Sequence, residues 1–305
     1  MNRKLNSGRL LAALAAMVFV AVGCGSTSTP AATSKGTITI AGFAFSEGTV
    51  LADLYGQALE HDGYTVNYKR QLGNREVVST AIKSGQVDLY IGYAATDLEF
   101  YNKGAGEASG DAAANVQKLN GHLSSLGLVA LTPSTAIDQN AFAVTKDTAS
   151  KYNLSKLSDL AAVGGQLVLG GPPECPTRPF CQQGLERVYG IKFKSFKALD
   201  AGGPLTFAAL ANGSIQVGLV FSSDARIAPA NLVVLQDDKQ LEQADDVVPI
   251  LRSAVATDEV KKVLNEVSAK LTTADLVQMN SQVENQHQDA DAVTKAWLES
   301  HNFGM

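Results

Sequence analysis

The stretch AIKSGQVDLYIGYAATD, residues 81–97, has a counterpart further along the chain, ALANGSIQVGLVFSSDA, residues 209–225. Each reads as the end of a helix, a polar residue followed by glycine, and an apolar strand. Each strand ends in an aromatic residue followed by small residues, Tyr93 in the first and Phe221 in the second. Because ligands of open α/β sheets bind at the carboxyl ends of strands, the likeness predicts two similar α/β lobes with both aromatic rings facing one cleft. The alternative is that any two helix–turn–strand units look alike in this way.

The rest of the chain alternates between strand and helix patterns. Before residue 81 the order is strand, helix, strand, helix, and Ser46 is predicted as the N-cap of the first helix. This alternation predicts parallel strands covered by helices. Three helical stretches end the chain, and we expect them to pack back on the first lobe. The predicted lobes are therefore residues 37–138 together with 245–305, and residues 139–244.

The first 24 residues, MNRKLNSGRLLAALAAMVFVAVGC, combine a positively charged start, an apolar run and small residues before a cysteine. This pattern predicts an export signal, because the apolar run is shorter than the roughly 20 residues that a membrane-spanning helix needs. The ending AVGC resembles a bacterial lipobox. We therefore expect a signal peptide over residues 1–23, a lipid on Cys24 and a flexible tether over residues 24–36, which would anchor the protein outside the cell membrane. A plain secretory signal is the alternative.

The other two cysteines lie in the stretch GGPPECPTRPFCQQG, residues 170–184. Outside the cytosol nearby thiols tend to oxidise, so we expect a disulfide between Cys175 and Cys181. The bridge would close and stiffen a short loop around Arg178. A metal site is disfavoured because the four histidines do not cluster near these cysteines. Catalytic thiol chemistry is a third interpretation of the pair.

Composition and motifs narrow the class of function. The chain has 305 residues, 45% of them hydrophobic, and a formal net charge of −5 without a basic stripe, which is a poor match for nucleic-acid binding. It contains no GxxxxGK[ST] phosphate loop, no GxSxG, no HExxH and no nucleotide-binding GxGxxG after a strand. We therefore expect a monomeric binding protein that is not an enzyme and uses no cofactor or metal.

An ordered series of segments resembles the solute-binding proteins of osmoprotectant ABC importers, which take up glycine betaine, choline, carnitine and proline betaine. The segments run in family order from about Gly36 to the end, and they are GFAFSEGTVLADLYGQALEHDGYTVNYKRQLG, AIKSGQVDLYIGY, FAVTKDTASKYNLSKLSDLA, QQGLERVYGIKFKSF, VFSSDARIAPANLVVLQDD, VVPILR and SAKLTTADLVQMN. The resemblance implies an α/β, two-lobed, periplasmic-binding-protein-like clamshell of type II. Each lobe is expected to hold a mixed, mostly parallel sheet flanked by helices.

The family grips a quaternary ammonium group in a cage of tyrosines and holds the ligand's carboxylate with an arginine. By resemblance, Arg178 takes the place of that arginine and Phe221 that of a cage tyrosine. The next cage position holds Asn140, and Asp245 with Asp246 stands where relatives have an aromatic stretch. The cage is therefore predicted to be incomplete.

Further candidates complete the predicted site. Asp138 matches an acidic or amide position of the family, Phe43 stands where relatives often place a lysine, and Tyr93 ends the first repeat. Ser46 and Arg75 lie at predicted helix starts near the cleft, with a capping or surface role as the alternative. For Arg178 the alternative is a loop salt bridge, and for Asp138 and Asp245 it is solvated surface or a contact between lobes.

The resemblance implies that the protein captures a small solute and delivers it to a membrane permease driven by an ATPase. Because the cage is incomplete, a polyol or a sugar-like solute is an alternative ligand. The same scaffold also suits a ligand sensor without transport or an exported enzyme, and fold-level resemblance alone does not separate these functions.

Overall fold

The computed structural model describes residues 34–303, so the predicted signal peptide, Cys24 and most of the tether lie outside the described residues. The described chain contains ten strands and ten α-helices. The strands are β1 (Thr37–Phe43), β2 (Thr65–Gly73), β3 (Leu89–Tyr93), β4 (Leu128–Ala130), β5 (Asn140–Thr145), β6 (Val168–Gly171), β7 (Ser195–Ala198), β8 (Val217–Phe221), β9 (Leu232–Val234) and β10 (Val247–Arg252). The helices are α1 (Ser46–His61), α2 (Arg75–Lys83), α3 (Ala94–Tyr101), α4 (Ala112–Leu123), α5 (Lys146–Tyr152), α6 (Gln182–Tyr189), α7 (Pro204–Ala211), α8 (Asp258–Lys270), α9 (Thr273–Glu284) and α10 (Ala290–Ser300). Within residues 34–303, no helix combines the length and the apolar character needed to cross a membrane.

The strands form two five-stranded sheets, in the orders β2-β1-β3-β10-β4 and β7-β6-β8-β5-β9. In the first sheet β1 is parallel to β2 and β3, whereas β10 is antiparallel to β3 and β4. In the second, β6 is parallel to β7 and β8, whereas β5 is antiparallel to β8 and β9. The prediction of an α/β fold with mixed sheets is confirmed. In each sheet four of the five strands run in the same direction, and only β10 or β5 runs the opposite way and pairs on both sides.

The predicted repeat is present in the fold. The strands β3 and β8 lie at the centre of their sheets, and they end at Tyr93 and Phe221 as the sequence indicates. The glycine before each strand, Gly85 or Gly213, has a φ of 77° or 74°. This left-handed backbone conformation favours glycine, so the same turn connects helix and strand in both halves.

Each sheet has its own apolar core. One core includes Ile40, Leu54 and Leu89 together with Val248 and Leu298, and the other includes Phe142, Leu169 and Leu219. The helices α8, α9 and α10 all contact α1, so the end of the chain packs in the first core. The division into lobes over residues 37–138 with 245–305 and residues 139–244 stays a prediction.

The predicted N-cap of α1 is wrong. Ser46 is the first helical residue, and the capping position is Phe45, whose side chain makes no capping hydrogen bond. The first turn of the helix packs closely on the end of β1. A Cβ atom added to Gly48 would lie 2.6 Å from the carbonyl oxygen of Phe43, so only glycine lets the first turn of α1 approach the end of β1 this closely.

Candidate functional site

A cavity of about 540 Å³ is lined by residues from both sheets, many of them at the carboxyl ends of strands. Eight of the nine predicted ligand-binding residues line it: Phe43, Arg75, Tyr93, Asp138, Asn140, Arg178, Phe221 and Asp245. The ninth, Ser46, lies outside this lining and faces a neighbouring cavity. The position of the cavity follows the rule that ligands of α/β sheets bind beyond the strand ends.

Six aromatic residues line the cavity: Phe43, Phe45, Tyr93, Phe100, Phe180 and Phe221. The ring centroid of Phe45 lies 6.5 Å from that of Tyr93 and 5.0 Å from that of Phe221. Phe45 thus connects the aromatic residues that end the two repeated strands. The rings provide broad apolar walls and electron-rich faces, which attract cations that lack hydrogen-bond donors.

Tyr93 is held by two hydrogen bonds. Its hydroxyl group donates to Glu47 Oε1 at 2.6 Å, and its backbone N–H donates to Asp97 Oδ2 at 2.9 Å. Burial, together with the nearby Glu47 carboxylate, raises the pKa of Tyr93 well above its usual range. The side chain is therefore neutral at physiological pH and offers its ring to the cavity.

Arg178 lies in the loop closed by the predicted disulfide, and the structure contains this bond between Cys175 and Cys181. The Arg178 Nη2 atom donates to Glu76 Oε1 on α2 at 2.5 Å, and its guanidinium carbon lies 5.2 Å from the centre of the Phe100 ring. Arg178 thus forms an ion pair, but its partner is a residue of α2 that is far away in the sequence and does not belong to the same loop. Burial and the nearby charge of Arg75 lower the pKa of Arg178.

Arg75 brings a second guanidinium group to the cavity wall. Its side chain is 14% exposed, its Nε donates to Asp97 Oδ1 at 2.9 Å, and its guanidinium carbon lies 5.1 Å from the centre of the Phe43 ring. Arg75 is therefore not a surface or capping residue. Burial opposes its charge, but Asp97 and Asp245 more than compensate and raise its pKa.

The predicted acidic and amide residues are part of the wall, so a solvated-surface role for Asp138 and Asp245 is wrong. Asp138 is 4% exposed and accepts hydrogen bonds from the Ser223 N–H at 2.9 Å and the Ser222 hydroxyl at 3.3 Å. Burial and Glu47 raise the pKa of Asp138 well above its usual range.

Asp245 and Asn140 have partners of their own. Asp245 accepts hydrogen bonds from the Thr96 N–H, at 2.8 Å, and from the Thr96 hydroxyl group. Burial raises the pKa of Asp245 to about 7, although the Thr96 donors lower it. Asn140 Nδ2 donates to the carbonyl oxygen of Phe180 at 2.9 Å, which leaves its Oδ1 without a partner among the hydrogen bonds of the described residues.

The sequence analysis missed several residues of the wall, notably Phe45, Thr96, Phe100 and Phe180. A signal existed for two of them. Phe45 follows Phe43 at an interval of two, which places both side chains on the same side of an extended segment, and Phe180 lies inside the loop of the predicted disulfide. Glu76 gave no such signal, because it lies 102 residues from Arg178.

Comparisons with known proteins agree with this architecture. Residues 36–300 match the family model described as the substrate binding domain of ABC-type glycine betaine transport system. The chain is 28% identical to the carnitine transport binding protein OpuCC of Listeria monocytogenes and 27% identical to a glycine-betaine-binding protein of Pseudomonas aeruginosa, each match covering 88% of both chains.

A solved structure described as a glycine betaine/carnitine/choline ABC transporter has the same fold, with a TM-score of 0.67 and 24% identity, covering 87% of this chain and 99% of that one. The family model spans most of the chain and all the strands and helices of both sheets. The chain therefore belongs to the family of substrate-binding domains of ABC-type glycine betaine transport systems, whose members are binding proteins and not enzymes.

Proposed function

We propose that the protein captures glycine betaine or a related quaternary amine in the cavity and delivers it to an ABC permease driven by an ATPase. The observation that carries this proposal is that two arginines and six aromatic rings line the same cavity. The names of its relatives, which bind carnitine and glycine betaine, point in the same direction.

The two kinds of side chain suit the two ends of a betaine. A trimethylammonium group cannot donate hydrogen bonds, and each contact with an aromatic face contributes roughly 0.5 to 2 kcal/mol. The planar guanidinium of Arg178 matches a carboxylate with two parallel hydrogen bonds. The disulfide holds the loop of Arg178, which lowers the cost of ordering that loop when a ligand binds.

The ligand class is tested by native mass spectrometry of the purified protein, followed by calorimetric titration with glycine betaine, carnitine, choline and sorbitol. The proposal predicts that glycine betaine or carnitine binds more tightly than choline, which lacks a carboxylate. Tight binding of sorbitol without binding of any quaternary amine would contradict it.

A polyol or sugar-like solute is the second candidate. Asp138, Asn140 and Asp245 favour it, because their polar groups line the cavity. A polyol can donate hydrogen bonds to these groups, whereas a quaternary ammonium group has no hydrogen-bond donors. The variants Phe221→Leu and Asn140→Ala separate the two ligand classes. Loss of the ring weakens a quaternary amine more than a polyol, whereas loss of the amide weakens the polyol more.

We further propose that the protein is exported, is anchored by a lipid on Cys24 to the outer side of the cell membrane, and acts as a monomer. The sequence pattern ending in AVGC supports the anchor. Mass spectrometry of the N-terminal peptide of the mature protein is expected to show a lipid on Cys24. An unmodified Cys24 would show that a lipid on this residue is not the anchor.

Delivery to a permease distinguishes this proposal from a sensor that does not transport. Deletion of the gene for the protein is expected to abolish uptake of the radiolabelled solute at low concentration, and expression of the wild-type chain is expected to restore it. Unchanged uptake in the deletion strain would favour the sensor.

A further inference from the structure

The side chain of Glu47, the second residue of α1, connects three parts of the chain that are far apart in the sequence. Its Oε1 atom accepts a hydrogen bond from the Tyr93 hydroxyl group at 2.6 Å. Its Oε2 atom accepts one from the Ser223 hydroxyl group at 2.5 Å and one from Asn280 Nδ2 at 2.6 Å. Tyr93 ends β3 in the first sheet, Ser223 follows β8 in the second sheet, and Asn280 lies on α9. One carboxyl group thus links both sheets to α9.

The contacts of Glu47 are those of a buried carboxylate. The residue is 4% exposed, and a buried charge is costly unless hydrogen bonds compensate for the lost water. Both hydroxyl donors lie at the short distances that are typical of hydrogen bonds to a charged oxygen. Burial raises the pKa of Glu47, and the three donors oppose this effect. Asp138 has only two donors, so of these two carboxyl groups Asp138 is the one that holds a proton.

The partners of Glu47 carry or adjoin the aromatic rings of the first cavity, which is the proposed solute site. The Tyr93 ring lines it, and among the described residues the Tyr93 hydroxyl group bonds only to Glu47. Ser223 lies two residues after Phe221, whose ring also lines the cavity. The ring of Phe45, two residues before Glu47, lies between these two rings, 6.5 Å and 5.0 Å from them. Glu47 therefore connects the segments that carry all three rings.

We propose, on the basis of the proposed function, that Glu47 is a positioning residue for the ammonium end of the solute. It holds the rings of Tyr93 and Phe221 at the separation at which both contact a trimethylammonium group. Glu47 does not line the first cavity, so it acts through its partners and not by contact with the solute. Rings that are fixed before binding lose less conformational freedom when the solute binds. The effect therefore extends to every quaternary amine, with or without a carboxylate, which separates this role from that of Arg178.

The test is a calorimetric titration of the purified protein with carnitine and with choline, which both carry a trimethylammonium group. Replacement Tyr93→Phe removes the hydroxyl group and keeps the ring, and Ser223→Ala removes the second hydroxyl donor. We expect each to weaken both ligands, and Glu47→Gln to weaken both by about fivefold, which is within the range of couplings in hydrogen-bond networks. Glu60→Gln, an exposed change at the other end of α1, is the matched control and should leave both affinities unchanged.

A double-mutant cycle separates positioning from direct attraction between the Glu47 carboxylate and the cation. In a chain that already carries Tyr93→Phe and Ser223→Ala, the hydroxyl partners are absent, so Glu47→Gln should cause little further loss of affinity. An equal loss in this chain and in the wild type would mean that Glu47 acts through its charge, and it would overturn the inference. Wild-type affinity in either Tyr93→Phe or Ser223→Ala would also overturn it, and so would a loss confined to carnitine.

A measurement without solute separates this inference from the proposed function. In the unliganded protein, amide hydrogen exchange should be faster in Glu47→Gln than in the wild type at Tyr93 and at residues 221–223. Exchange in β6 should stay the same, which controls for global unfolding. Unchanged exchange at Tyr93 and at residues 221–223 would overturn the inference whatever the solute is. Altered exchange in a protein whose wild type binds neither carnitine nor choline would contradict the proposed function and leave the positioning of the rings by Glu47 supported.

Discussion

Arg178 has two competing partners in the proposed mechanism, the ligand's carboxylate and Glu76. Replacement Arg178→Ala is expected to weaken binding of carnitine at least tenfold, a loss of about 1.4 kcal/mol, and to leave binding of choline nearly unchanged. Calorimetric titration of both ligands measures the difference. Arg187→Ala is the matched control, because Arg187 is exposed on α6 and does not line the cavity. Equal losses for carnitine and choline would show that Arg178 does not recognise the carboxylate.

Replacing Glu76, the ion-pair partner of Arg178, is expected to strengthen ligand binding, whereas replacing Arg178 is expected to weaken it. The Glu76 side chain is 47% exposed, and half-exposed ion pairs contribute about 1 kcal/mol or less. If a ligand carboxylate displaces Glu76 from Arg178, replacement Glu76→Gln should strengthen carnitine binding by up to about fivefold, since that pair no longer has to be broken. Glu299→Gln, an exposed change on α10, should have no effect in the same titration. Weaker binding in Glu76→Gln would mean that Glu76 supports the ligand instead of competing with it.

The loop between β6 and α6 is the element on which the arginine depends. Replacing both Cys175 and Cys181 with alanine is expected to weaken binding of the carboxylated ligand. Without the disulfide the loop is more flexible, and the free energy needed to order it on binding reduces the affinity. The loop is short, so the loss in the free energy of unfolding should be only about 2 to 3 kcal/mol. Titration calorimetry and urea unfolding measure the two effects separately. Unchanged affinity would show that the loop is rigid without its bridge.

The sequence predicts elements well where the information is local. The repeated strands with their terminal aromatic residues, the disulfide loop after β6 and the three final helices are all visible as short patterns, and the structure contains them. The sequence does not predict which strands pair when the partners lie far apart in the chain. Strand β10 pairs with β3 and β4 more than 100 residues earlier in the chain, and nothing in VVPILR indicates that pairing or its antiparallel direction.

The difference between local patterns and contacts far apart in the chain also explains which residues of the site were predicted and which were missed. Tyr93 and Phe221 were predictable because their position at the carboxyl end of a strand fixes where they lie. Phe100 is of the same residue type as core residues, and only the packing of two sheets decides that it faces a cavity. Ser46 was predicted as a cap because serine is a common N-cap residue, but α1 begins at Ser46 without a side-chain cap, and its first turn packs closely on β1 at Gly48.

Buried carboxyl groups give the whole molecule a pH dependence of stability. Burial raises the pKa of Asp245 from its ordinary value of 3.8 to about 7. Between these values the folded chain holds a proton that the unfolded chain releases, so this group makes the free energy of unfolding fall as pH rises from about 4 to about 7. Above that window its effect no longer changes with pH.

Replacement Asp245→Asn removes this titration and keeps an oxygen that can accept the Thr96 N–H. We expect its free energy of unfolding to fall less than that of the wild type over the same pH window. Urea unfolding at several pH values measures the slope. Asp258→Asn, at a fully exposed position, controls for the change in net charge and should keep the wild-type slope. An Asp245→Asn slope equal to that of the wild type would mean that Asp245 is ionised throughout the window.

The central claim for the whole molecule is that both sheets contribute to one solute site, with the arginines and the aromatic rings in its wall. The most direct test is a crystal structure of the protein with the solute identified by mass spectrometry. The account predicts density for one solute in the first cavity, within hydrogen-bond distance of Arg178 and in contact with the rings of Tyr93 and Phe221. Solute density elsewhere, or a bound state in which those two rings point away from each other, would contradict it.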